Sequence, residues 1–262
     1  MKRLGDFYQI HKDETIYLIG NGAGLLDAPK SYKDKISRGI SIGVNSSHLF
    51  LPTTYQACST WSCYLLSCHY GEVSGCRFYQ GQRMGNDSSW PFGGPTTLNS
   101  SFYSENNTID IYSNMEPPSS TDVLFRKPEE SSPFYGTYNI MFTATNLATM
   151  MGANKIVYLG FDQRNNGHYY DTPESMPKYK EQTNEIKKIY SSDTYIVKDI
   201  EDMEVININK EKTPDYLKGG WCQDKLSIIF DAMKKNDVTP IVHIKDSIVH
   251  EAGAIWKDYE YE

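Results

Sequence analysis

The stretch Thr15 to Leu26, TIYLIGNGAGLL, decides the fold: a run of β-branched and aromatic residues stops at a glycine-rich turn, and an apolar, helix-compatible segment follows. This is a strand feeding a tight turn. Gly20, Gly22 and Gly24 let the backbone turn sharply and approach a ligand closely, and Asn21 places an amide where a strand's carboxyl end opens into a crevice. A second element of the same kind occurs at Asn154 to Asp162, NKIVYLGFD, where an apolar strand ends in Gly160 and an acid. Two such strand ends predict one site at the carboxyl edge of a parallel sheet.

The rest of the chain supports that sheet. Leu25 to Arg38 permits a short helix interrupted near Pro29, Gly39 to Asn45 reads as a second strand, and Tyr55 to Ser59 as a third. Gly71 to Pro133 is dense in Gly, Ser, Asn and Pro and predicts short strands with long surface loops, with Ile109 to Ser113 as a sheet element. Thr137 to Met151 is nearly free of charge and predicts a buried helix stopped by Gly152. A helix from about Met176 to Tyr190, another over Trp221 to Lys234 and a last strand at Val238 to His243 complete the pattern, with the acidic, aromatic tail Glu251 to Glu262 expected on the surface. The fold class is therefore α/β: a Rossmann-like, mostly parallel sheet with helices on both faces. One domain over residues 1–262 is expected, with the polar stretch 163–216 as a lid or acceptor-facing insertion.

Composition narrows the function classes. A formal charge of −7 over 262 residues argues against a surface built mainly to neutralise phosphates. No apolar run approaches the roughly 20 residues that span a bilayer, and Met1 to Asp6 leads into a polar segment, so the expectation is a cytoplasmic protein with no membrane span. Five cysteines cannot all pair within the chain, and Cys58, Cys63, Cys68 and Cys76 lack paired zinc-site spacing, which predicts reduced thiols. Twenty tyrosines suit a site that holds sugar rings and phosphates, as well as half-buried packing.

The glycine turn is not a dinucleotide fingerprint: its G-x-G-x-G spacing differs from G-x-G-x-x-G, and Asn45 stands where an acid would close the second strand. A P-loop is absent from the sequence, as is a D-x-D motif for a metal-held diphosphate, and Asp199 to Asp202 reads as a solvated loop. No metal ligand set and no cofactor is expected. Asn21 and Asn45 offer neutral amides that can read a ribose or a pyrimidine edge.

The GNG turn, the strand end at Val44-Asn45-Ser46, and the block from Gly136-Thr137-Tyr138-Asn139 through Gly152 to Asp162 resemble the bacterial sialyltransferases of glycosyltransferase family 42 and the related DUF115 proteins. The resemblance covers about Ile16 to Asp171, with the middle loops unmatched. It implies a GT-A-like single-domain transferase with a small lid, using a cytidine-nucleotide-activated sugar without an essential metal. By position it implies Gly20, Asn21 and Gly22 near the donor phosphate and sugar, and Asn45 and Ser46 near the nucleotide. Ser59 or Thr60 would face the transferred sugar, and Gly136, Thr137 and Tyr138 would form a helix-start anion site. Gly160 and Asp162 would line the nucleotide pocket, with Tyr169 and Tyr170 as lid tyrosines on the phosphate.

In that family the catalytic histidine lies well after the Gly-x-Asp strand, whereas this chain has no histidine between His168 and His243. His168, in the loop just beyond Asp162, is the candidate base, with Asp162 or Asp171 as the alternative carboxylates. Arg164, Lys178 and the pair Arg126-Lys127 are candidate phosphate clamps. The expected function is transfer of a sugar from a CMP- or UDP-sugar to a hydroxyl of a glycan or of a hydroxymethylated DNA base, the latter a phage-type DNA modification. Two other classes stay open: an ATP-dependent pyrophosphokinase related to DUF115 proteins, and a non-catalytic nucleotide-binding protein. A homo-oligomer is compatible with either.

Overall fold

A computed structural model describes residues 2–80, 100–111, 113–114, 121–128, 134–135, 139–162, 168, 170–194, 196–198, 200–201 and 219–261. The strands are β1 (Thr15–Ile19), β2 (Ile40–Val44), β3 (Tyr55–Cys58), β4 (Arg77–Tyr79), β5 (Thr108–Asp110), β6 (Ser113–Asn114), β7 (Phe134–Tyr135), β8 (Lys155–Leu159), β9 (Thr239–Val242) and β10 (Ile255–Trp256). Among the described residues, eight form one sheet in the order β10-β9-β8-β1-β2-β3-β4-β5, every neighbouring pair parallel; β6 and β7 pair separately.

The order carries the functional information. The chain walks outward from β1 to β5, then returns to the other side of β1 with β8 and walks outward again to β10. The direction therefore reverses between β1 and β8, which lie in register from Thr15 opposite Lys155 to Ile19 opposite Leu159. In an open parallel sheet this switch point leaves a crevice beyond the strand ends, because the connections leave in opposite directions.

Side-chain alternation splits the core in two. Ile16 and Leu18 of β1, with Ile156 and Tyr158 of β8, face one layer, while Tyr17, Ile19, Val157 and Leu159 face the other. The first layer is built by α4 (Ile140–Met150) and, as numbered here, α6 (Gly219–Lys235) and α7 (Ile248–Glu251). The second layer is built by α1 (Lys30–Arg38), α2 (Trp61–Tyr70) and α5 (Ser175–Ile189). The short α3 (Ser100–Glu105) lies before β5, and its Phe102 and Tyr103 pack on the second layer.

Helix α4 is buried along its whole length, as its chargeless sequence requires. Its end is a Schellman closure: the Gly152 N–H donates to Thr149, the Ala153 N–H donates to Ala148, and Gly152 adopts a φ of 93°. Full burial of Met141, Phe142 and Leu147 contributes about 2 kcal/mol each.

Helix α2 was not anticipated: Trp61–Tyr70 carries no charged Asp, Glu, Lys or Arg, because α5 and the turn Asn45–Leu49 cover it on the side away from the sheet. The tail lies largely at the surface as expected, with Ile255 48% exposed, but β10 also adds a strand to the sheet and the half-buried Tyr259 packs against the second layer. Within 163–216, α5 inserts Tyr179 and Ile186 into the second layer and buries Thr183.

Candidate functional site

At the switch point the two loops predicted to meet do meet. The Gly20 N–H donates to Leu159 at 2.7 Å and the Gly22 N–H to Gly160 at 2.7 Å, continuing the β1–β8 ladder past both strands. The Gly24 N–H then donates to Asp162 Oδ2 at 2.7 Å. The close approach the glycines permit is to the chain itself: a Cβ on Gly22 would lie 2.7 Å from Asp162 Oδ2 and 2.8 Å from the Gly160 carbonyl. Gly160 occupies the left-handed region at φ 66°, with Leu25 where a side chain would go.

This corner holds buried polar atoms with no hydrogen-bond partner among the described residues. Asp162 is 3% exposed, and its Oδ1 has no hydrogen-bond partner; the same holds for Asn21 Oδ1, one residue from the Gly22 contact. Burial pushes the Asp162 carboxyl above the usual carboxylate range; the Gly24 bond opposes this, and the charges of Asp27 and Asp246 add to it. Oδ1 of this buried carboxylate therefore has the capacity to accept one further hydrogen bond.

His168 is brought to the same place by a backbone bridge to Gly22. Its imidazole is 39% exposed, with Nδ1 3.4 Å from Asp171 Oδ2, while that carboxylate oxygen accepts the His168 backbone N–H at 2.7 Å. The ring lies flat on Tyr170 (4.8 Å, 5°), which stacks on Tyr179 of α5 (4.4 Å, 17°). The result is an oriented, half-exposed imidazole paired with a carboxylate, the geometry of a positioned base.

The neighbouring strand ends are arranged differently. Asn45, at φ 49° beyond β2, accepts the Ser59 N–H (3.1 Å) and the Ser59 hydroxyl (3.2 Å) on its side-chain oxygen, tying β2 to β3. Its carbonyl accepts Gln56 Nε2 at 2.7 Å. Thr60 caps α2 by accepting the Cys63 N–H at 3.3 Å. Helices α1, α2 and α5 follow strands of a parallel sheet, so their amino ends lie toward its carboxyl edge, where they favour negative charge.

Other predicted residues fall elsewhere. Ser46 is buried with its hydroxyl 3.7 Å from Cys63 Sγ, beneath α2. Tyr170 is 2% exposed within the ring stack. Arg126 and Lys127 lie at the opposite, amino edge of the sheet, where Phe125 accepts from Tyr8 and the next residue, Gln9, donates to the end of α4. Gly136, Thr137, Tyr138, Arg164 and Tyr169 lie outside the described residues. Cys58, Cys63, Cys68 and Cys76 are free thiols, and burial raises Cys68 to about 11, which makes it a poor nucleophile at neutral pH.

Sequence reasoning missed two groups. Tyr259 stacks on His243 at the end of β9 (4.4 Å, 22°), and His243 accepts the Tyr32 hydroxyl proton on Nε2 (2.6 Å) while donating from Nδ1 to the Lys257 carbonyl (2.7 Å). His48, behind Asn45, is buried with Nε2 unpartnered, and burial lowers it to about 4. The histidine ending the predicted strand at Val238 to His243 was the available signal for the first; for the second the sequence carries none.

No protein-family model and no curated protein matches the chain. Among solved structures, the MAf glycosyltransferase from Magnetospirillum magneticum AMB-1 is similar over 62% of this chain and 27% of its own length, at 12% identity and a TM-score of 0.38. This chain thus spans about a quarter of the length of that protein.

Proposed function

We propose that this protein is a glycosyltransferase that moves a sugar from a CMP- or UDP-sugar to a hydroxyl of a glycan or a hydroxymethylated DNA base, without a metal. The observation that carries the reading is the meeting of His168 and Asp171 with Asn21 and Asp162 at the sheet's switch point. An oriented base stands beside buried hydrogen-bond acceptors in the crevice where open parallel sheets bind nucleotides.

In this mechanism the acceptor hydroxyl gives its proton to His168 as its oxygen attacks the anomeric carbon. The bond from that carbon to the donor phosphate breaks, and the phosphate leaves with the electron pair. Asp171 holds the imidazole in place and offsets the positive charge it gains. The amino ends of α2 and α5, with Lys178 in the first turn of α5, favour the charge developing on the phosphate.

The test is a transfer assay over a panel of CMP-, UDP- and GDP-sugars, with glycan and hydroxymethylated-DNA acceptors and EDTA throughout. Release of CMP or UDP with a glycosylated product is expected, reduced by about 10²- to 10⁴-fold in His168→Ala. Activity abolished by EDTA and restored by Mg²⁺ would remove the metal-independent step. Undiminished transfer by His168→Ala would remove the assigned base.

A further inference from the structure

Beyond the base and the glycine loop, the corner contains a feature contributed by the last strand's extension. Tyr259 follows β10, and its ring is fixed on two sides, stacked on His243 and edge-on to Tyr32 at 4.9 Å. Its hydroxyl is buried and has no hydrogen-bond partner among the described residues. His243 precedes Ile244, whose Cδ1 lies against Gly24, and Gly24 in turn lies against Asp162. A chain of neighbours, Tyr259 on His243, then Ile244 beside Gly24, then Asp162, places the phenol on the same side of the corner as the carboxylate, whose charge it feels. Burial first, and then the negative charges of Asp27, Asp162 and Asp258, push the phenol up to about 12, so it stays protonated.

The chemistry of these atoms selects their ligand. Asp162 Oδ1 and Asn21 Oδ1 can only accept, so whatever satisfies them must present hydrogen-bond donors. The Tyr259 hydroxyl, unpartnered here, can donate to an oxygen and can also accept. The phosphodiester of a CMP-sugar has no donors to offer and is repelled by the charges of Asp27, Asp162 and Asp246. Adjacent hydroxyls on a sugar ring supply two donors and lone pairs together.

We infer that Asp162, Asn21 and Tyr259 form a subsite that reads a vicinal diol, so that the segment after β10 contributes to donor recognition. The inference deepens the nucleotide-sugar reading and rests on it. The diol belongs to the nucleotide's ribose or to the sugar ring, and the experiment separates these sources.

CMP and UMP, their 2′,3′-dideoxy counterparts and methyl pyranosides are titrated by ligand-observed NMR against the wild-type protein and Tyr259→Phe, which keeps the ring stack. Asp162→Asn, which retains an oxygen for the Gly24 N–H, serves as the second variant. Binding of the ribonucleotide about tenfold tighter than its dideoxy form, with the advantage lost in both variants, assigns the ribose. Equal binding of the two nucleotides, with pyranoside binding weakened about tenfold in both variants, assigns the sugar ring. If neither variant changes any affinity while nucleotides bind, the diol subsite is overturned and the transferase reading stands. If no nucleotide and no pyranoside binds, both are overturned.

Discussion

Asn21 and Asn45 sit just beyond neighbouring parallel strands, yet they are used in opposite ways. Asn45 spends its side-chain oxygen on Ser59 and its carbonyl on Gln56, joining β2 to β3. The side-chain oxygen of Asn21 is buried and unpartnered, next to an Asp162 oxygen in the same condition. Identical amides at matching sheet positions thus divide into a structural tie and a buried oxygen left unsatisfied. The difference follows from topology. Between β2 and β3 the chain crosses directly and the strand ends bond to each other; between β1 and β8 it diverges, leaving polar atoms with no partner among the described residues.

The largest expected effect is the loss of transfer in His168→Ala, with folding intact because the imidazole is partly exposed and its backbone bridge to Gly22 needs no side chain. Next is an acid effect on the structural side. His48 is kept neutral in the native state by burial, at about 4 against 6.5 in the unfolded chain. The unfolded state therefore binds the extra proton, and stability present above pH 6.5 falls as pH drops toward 4, by about 3 kcal/mol. Urea titrations at pH 7 and pH 4.5 measure this loss, and His48→Gln is expected to remove that part of the slope. An unchanged slope would mean that His48 is accessible to solvent in the native protein.

The amide pair gives a smaller and more pointed contrast. Asn45→Ala strips acceptors from the Ser59 N–H and hydroxyl and should cost about 1–3 kcal/mol in chemical denaturation, whereas Asn21→Ala removes an already unpartnered oxygen and should change stability little. Equal losses would erase the distinction between the two strand ends. The smallest effect has the opposite sign. Because the native Asp162 pKa is raised, its ionised form opposes folding above that pKa, and the penalty fades as pH falls through it. Asp162→Asn is expected to raise the ligand-free melting temperature by a few degrees at pH 7, with the gain shrinking toward pH 4. A lowered melting temperature at pH 7 would show that the carboxylate is held for stability.

Much of this was legible in the sequence. Strands β1, β2, β3, β8 and β9 announced themselves by short apolar runs ending in Gly, Asn, Ser or His, and α4 by its absence of charge. The pairing of the two glycine-ended strands at one site followed from the requirement that ligands bind at strand carboxyl ends. Helix α2 was not legible, because a helix covered on both sides loses the polar stripe that gives an amphipathic period. Nor was the fate of each amide, since Asn21 and Asn45 differ only in what the folded chain brings within reach. Tyr259 escaped because a two-residue edge strand among acidic residues carries too short a pattern to read.

The central claim, that the β1–β8 corner is where the donor binds, is tested most directly by calorimetric titration of CMP- and UDP-sugars into the wild-type protein and Asn21→Ala. The account predicts saturable one-site binding of one of these donors, weakened about tenfold in Asn21→Ala at unchanged melting temperature. Donor binding of equal strength in both proteins, or no binding of either donor, would contradict it.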